Sequence, residues 1–235
     1  MKFRPFWILG LALVLLFAMF SITLGFDWSF LWKPKPNQEK IGAGLKEALR
    51  VGTENSVELT GRLDGFNKNP QIKIPLPNQL QKIEKVLRQI GLEDQVDDFI
   101  LSLNRAAEKA TPAAKDIFWK AIKEMTFDDA VTIFKGSDTA ATNYFEAKTS
   151  AELITAFTPE VSQATETVEV TKFYKQLTKE IQKIKFLKLE PVDIDNYVVT
   201  KTLDGLFYVL GEEEKKIRKD PAARVTELLK EVFAD

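Results

Sequence analysis

A chain of 235 residues with 33 Lys plus Arg against 34 Asp plus Glu carries a net charge of −1. It therefore lacks the bulk basic field that non-specific nucleic-acid binding requires. It contains neither histidine nor cysteine, which removes disulfide frameworks, thiol nucleophiles, His-based triads and nearly every usual zinc, copper or haem site. No cofactor, metal or nucleic-acid partner is expected, and the 45% hydrophobic content is that of a globular chain.

Lys2 and Arg4 precede an uncharged run from Phe6 to Phe26. As a helix the run would rise about 30 Å, enough to cross a bilayer core. Positive charges ahead of such a run stay cytoplasmic, so the rest of the chain is expected beyond the inner membrane, in the periplasm. Two readings compete for residues 1–32. Thr23 and Gly25 occupy the −3 and −1 positions of a signal-peptide cut before Phe26. Trp28, Phe30 and Trp32, followed by Lys33 and Lys35, instead resemble the interfacial belt behind a retained anchor, in which case residues 6–26 hold the protein to the membrane. Residues 33–38 form a short Lys- and Pro-containing linker.

From residue 39 to 235 the pattern is one of successive helices. Ile41, Leu45, Ala48, Leu49 and Leu59 make a first stripe at helical spacing. Gly61, Gly65, Asn67, Asn69 and Pro70 then punctuate a loop. Gln71 to Pro77 alternates apolar and polar residues, but Pro75 and Pro77 forbid a central strand, which predicts an extended segment lying between helices. Leu80, Ile83, Leu87 and Ile90 form the next face, with Gly91 at its stop. Val96, Phe99, Ile100, Leu103 and Ala107 follow. Thr111-Pro112 reads as an N-cap with proline at the first helical position, opening a helix with Ile117, Phe118, Ala121 and Ile122 inside.

Thr126, with Asp129 three residues on, predicts a capping box and a short helix ending at Gly136. Ser137 or Asp138 is expected to cap a segment through Lys148. Thr149 or Ser150 would cap another ending near Pro159. Val170, Phe173, Tyr174, Leu177, Ile181 and Ile184 give a strong stripe. Asp193 caps a helix carrying Val198, Leu206 and Leu210, and Asp220-Pro221 opens a last one. No segment reads as a strand and no fixed period recurs. The expected fold is all-α, a single irregular multi-helix bundle after the N-terminal signal or transmembrane helix.

Several polar sets stand out. The run GEEEKKIRK at 211–219 reads as a solvated face, with Glu212–Lys216 and Glu214–Arg218 as i,i+4 pairs. Asp128 and Asp129 fit the first turn of a helix on macrodipole grounds. GSDTAATNYF at 136–145 places Asp138, Thr139 and Thr142 at a helix start, where hydroxyls and free N–H groups hold anions or polar head groups, with Tyr144 beside them. Asn104 and Arg105, in SLNRAAEK, pair on the surface or reach across a groove. Arg50 and Asn55 form a third set on an amphipathic helix. These eight residues are the candidate ligand- or partner-binding positions, and none is assigned a catalytic or metal-ligating role.

The phrases GLKEALRVGTENSV (44–57), NPQIKIPLPNQLQKIEKVLRQIGL (69–92), the stretch 103–149 and DGLFYVLGEEEKKIRKDPAARVTELLKEVF (204–233) resemble the bacterial family known as domain of unknown function 4197. The resemblance implies an exported, mostly helical, single-domain protein of Gram-negative-type bacteria. It carries over no activity or site residue. The expected function is a non-enzymatic periplasmic binding domain for an envelope protein or an apolar-tailed ligand. The alternatives are a carboxylate-dependent hydrolase and a structural envelope protein acting as an oligomer.

Overall fold

A computed structural model of the chain describes residues 38–167, 170–182, 192–224, 226 and 230. The apolar run 6–26 and most of the helix expected after Pro221 lie outside those residues. The regular elements among the described residues are all helices, with no strand among them. In order they form α1 (Gln38–Gly61), α2 (Asn78–Gln89), α3 (Glu93–Ala110), a 3₁₀ turn (Thr111–Ala113), α4 (Ala114–Glu124), α5 (Phe127–Lys135), α6 (Ala140–Thr167), α7 (Val170–Gln182) and α8 (Ile194–Lys219). A second 3₁₀ turn follows at Pro221–Ala223.

The apolar stripes become the faces that meet in one core. Leu45 and Leu49 of α1, Phe99 and Leu103 of α3, Phe118 of α4, Phe145, Leu153 and Phe157 of α6 and Leu206 of α8 are buried together. Rings fix the contact directions: Phe118 meets Phe145 edge-on at 5.3 Å between centroids, and Phe99 stacks on Tyr174 of α7 at 6.0 Å. The two longest helices near the centre, α6 and α8, run antiparallel. Ala141 and Thr142 at the start of α6 bond Glu214 near the end of α8. Ser162 and Thr165 near the end of α6 bond Asp195 near the start of α8.

Between α1 and α2 the chain does what its alternation predicts. Residues 73–77 have no regular structure. Ile72, Ile74 and Leu76 turn inward while Gln71, Lys73 and Pro75 stay exposed, so a strand-like period of two operates without a partner strand. Gly91 adopts φ +84° just past α2, the left-handed stop that a side chain would resist. Thr126 and Asp129 form the expected capping box, and Asp193 accepts the Asn196 N–H at 3.0 Å to cap α8.

Two expectations are corrected. Thr111 does not cap a new helix: its hydroxyl donates back to Ala107 O at 2.9 Å, and the chain passes from α3 to α4 through a 3₁₀ turn. Thr149 and Ser150 open no helix either. Their hydroxyls donate to Phe145 O and Glu146 O, and α6 continues to Thr167 with Pro159 inside it. Proline costs that helix one backbone bond and a steric clash. The buried face formed by Leu153, Phe157, Val161 and Ala164 runs on across the site, and this packing outweighs the local cost.

Candidate functional site

The polar residues singled out by sequence do not gather in one place. Asn104 and Arg105 serve the irregular segment between α1 and α2. Asn104 is fully buried; its Oδ1 accepts the Ile74 N–H at 2.8 Å and its Nδ2 donates to Ile74 O at 2.9 Å. That reciprocal pair imitates a strand neighbour and satisfies backbone that has no ladder of its own. One turn on, the buried Glu108 accepts the N–H groups of Phe66 and Asn67 on one oxygen, each at 3.1 Å. Arg105 joins the other oxygen at 2.6 Å and Asp64 at 2.6 Å. Hydrogen bonds from Lys68, Arg105 and Asn67 hold the Asp64 carboxyl well below its ordinary range. On the opposite side, the Tyr197 hydroxyl of α8 donates to Pro75 O at 2.9 Å. Burial pushes that phenol up to about 12, so it remains a donor.

A second set converges on the charged run of α8. Glu213 and Glu214 are each only 7% exposed. The anion site predicted at the start of α6 is filled from within the chain. Glu214 accepts the N–H groups of Ala141 and Thr142 at 3.0 and 2.9 Å, and the Thr142 hydroxyl at 2.9 Å. Arg218 bonds Glu214 and also donates to Phe134 O at 3.2 Å and Ile133 O at 2.8 Å, at the end of α5. A carboxylate thus sits at one helix N-terminus and a guanidinium at another helix C-terminus, each opposing the local dipole. Asn55 of α1 donates to Glu213 at 3.0 Å. Asp138 pairs with Lys219, whose ammonium holds its carboxyl below the usual range.

The expectation of a solvated run therefore fails at its centre. Residues 206, 210, 213, 214 and 217 share one helical face, and the apolar stripe simply continues through two glutamates. That spacing was the available signal. The Glu214–Arg218 pair forms as expected, but Lys215 takes Glu212 at 2.7 Å and Lys216 takes Glu213 at 2.5 Å in place of a Glu212–Lys216 pair. Arg50 stays within α1, bridging Glu47 and Glu54 at 2.8 and 2.9 Å. The Thr139 methyl lies against Gly211.

Two of the eight line open concavities: Thr142 the groove on the α8 side of α6, and Tyr144 a recess of about 380 Å³ between α4 and α6. Lys148 sits 5.9 Å from its ring, and Lys120 and Glu152 pair at 3.1 Å on the same surface. Burial, followed by the charges of Asp129 and Glu124, raises the Tyr144 phenol above its ordinary value. The groove on the other side of α6, against α8, is open and measures about 450 Å³. Sequence reading named only Thr142 of its lining as a candidate, because the groove joins residues some 55 positions apart. By contrast, the cavity beside Glu214, bounded by Leu45, Leu49, Leu210 and Ile217, measures about 20 Å³. That holds about one water and no apolar tail. Among the described residues no group of three acidic side chains is placed to hold a metal ion, and no helix is long and apolar enough to cross a membrane.

No curated protein and no solved structure matches this sequence. The family model described as Protein of unknown function (DUF4197) matches residues 35–234, a span that takes in every described residue, and the chain belongs to that family.

Proposed function

We propose that this is an exported, non-enzymatic helical domain, tethered to or released from the inner membrane by residues 6–26, that holds another protein of the envelope. One observation carries the reading: the bundle spends its buried and half-buried carboxylates on its own groups, and keeps open grooves on both sides of α6. Glu108 and Glu214 bind pairs of N–H groups, and Asp195 binds the hydroxyls of Ser162 and Thr165. Such use stiffens a scaffold, and rigid elements beside concave surfaces suit recognition. The small size of the cavity beside Glu214 favours a protein over an apolar-tailed ligand.

The test treats intact cells with a bifunctional amine reagent that does not cross the inner membrane. Exposed lysines, Lys120 and Lys216 among them, should react, and the full chain should link to one envelope protein at fixed stoichiometry. A chain shielded in the cytoplasm, or one that reacts without linking to any protein, overturns the reading.

A further inference from the structure

We propose that the groove between α6 and α8 is the docking site for a basic amphipathic helix of the partner protein; this rests on the binding reading above and specifies where and what it binds. The floor is apolar, formed by Leu203 and Phe207, and the rim carries Ile154 and Tyr208, which are 46% and 43% exposed. These part-exposed side chains extend the apolar floor outward as contact surface, while the Tyr208 hydroxyl is directed to Gln71 at 3.4 Å. The walls are acidic. Glu146 and Asp204 line the groove and no Lys or Arg does. Among the described residues no hydrogen bond or ion pair engages the Glu146 carboxylate, and Asp204 has only an exposed contact to Lys201 at 2.8 Å, the kind of pair that exchanges at little cost.

The remaining polar groups do not compete. The Ser150 and Thr200 hydroxyls donate to their own helices, at Glu146 O and Asn196 O, so the walls offer apolar contact and negative charge. From Thr142 to Ile154 the α6 wall spans about 18 Å, the rise of roughly three helical turns. The antiparallel α8 supplies a second, shorter rail from Thr200 to Tyr208, about 12 Å, and two such rails make the geometry in which an amphipathic helix lays its apolar face into a groove. The acidic walls choose its sign: Lys or Arg one turn from the apolar residues meets Glu146 and Asp204, whereas an acidic helix or an anionic lipid surface is repelled.

The experiment offers the full chain, in nanodiscs of zwitterionic lipid, a soluble peptide of about 12 residues with a Leu/Lys face and a central photoreactive group. Adducts are mapped by mass spectrometry. Labelling is expected on Ile154, Leu203, Phe207 and Tyr208, and a Leu/Glu peptide of the same pattern should give at least tenfold less. Glu146→Lys with Asp204→Lys should cut labelling at least tenfold, and the milder Glu146→Gln with Asp204→Asn at least threefold if the first pair disturbs folding. Asp94→Lys with Asp98→Lys, on the exposed face of α3, should change nothing. Adducts elsewhere, equal labelling by the acidic peptide, or an equal loss in the α3 control overturn the proposal. So does stronger labelling of the same residues by a long-chain alkylammonium. If the peptide fails while the lysine-reactive experiment still links one envelope protein, the groove assignment falls and the binding reading stands.

Discussion

The α3 clamp and the α8 clamp use the same side-chain types on backbone of opposite character. On α3, Asn104 and Glu108 hold an irregular segment whose N–H and C=O groups have no regular partners. On α8, Glu214 and Arg218 hold the ends of helices that are otherwise bonded along their length. The first clamp substitutes for missing secondary structure; the second places one charge against each of two dipoles and lets the two charges neutralise each other. Loss of the first should loosen one segment. Loss of the second should strand a charge inside the bundle, which is the larger penalty.

Glu214→Ala is accordingly the most damaging change we expect. It removes the acceptor for two N–H groups and a hydroxyl, and leaves Arg218, whose side chain is 12% exposed, without its carboxylate. Urea unfolding should show a loss of about 3–5 kcal/mol. Adding Arg218→Met should recover part of it, because the unpaired charge goes too. A loss below about 2 kcal/mol, smaller than that expected for the first clamp, would reverse the order and break the distinction.

Asn104→Ala should cost less, about 2–4 kcal/mol, for two buried backbone groups at Ile74 left unpaired. Its signature is local. Hydrogen exchange at the Ile74 amide should accelerate far more than at amides in the middle of α8; uniform acceleration would mean that the segment and the bundle open together. Gly205→Ala sharpens the same side of the comparison from the packing direction. A Cβ there would come within 2.5 Å of the Phe66 ring and 3.2 Å of Ile72, so α8 approaches the clamped segment only through a glycine. Overpacking of about 1–3 kcal/mol is expected, with faster exchange at Phe66.

How much of this was legible depends on range. The all-α class, the period-two segment at 71–77 and the stop at Gly91 follow from local spacing and backbone chemistry, which a sequence displays directly. The clamps pair positions 30 to 85 residues apart, and nothing local in Asn104 names Ile74 as its partner. The run 211–219 misled because abundant charge suggests solvent, while the helical stripe through Leu206, Leu210 and Ile217 placed two of its glutamates inward. The split predicted within α6 failed for a related reason: Thr149, Ser150 and Pro159 carry local stop signals, and a buried face contributed by distant helices overrode them. Five of the eight site residues, Asn55, Asn104, Arg105, Asp138 and Thr142, make polar contacts between segments, and the eight are spread over several places in the bundle.

Thr126 and Thr111 bring that lesson down to a single pair, since each precedes a helical stripe and only one caps. Thr126 accepts the Asp129 N–H at 3.1 Å, and Asp129 answers with an acceptor for the Thr126 N–H at 3.0 Å. Thr126→Ala should therefore cost about 1 kcal/mol. Thr111→Val keeps the shape, and the Thr111 N–H still bonds Ala107 O, so its effect should stay within about 0.5 kcal/mol. The two also differ in pH dependence. Bonds from the Thr126 side chain and then its backbone N–H hold the Asp129 carboxyl below its ordinary 3.8. A depressed folded value means that the box stabilises fully above 3.8 and loses that contribution as pH falls through the lower, folded value. The penalty of Thr126→Ala, measured by urea unfolding from neutral pH downward, should shrink in that acid window, while the difference between Thr111→Val and the parent chain stays flat. A Thr126→Ala penalty that does not change with pH would show that the Asp129 charge draws nothing from the Thr126 hydroxyl.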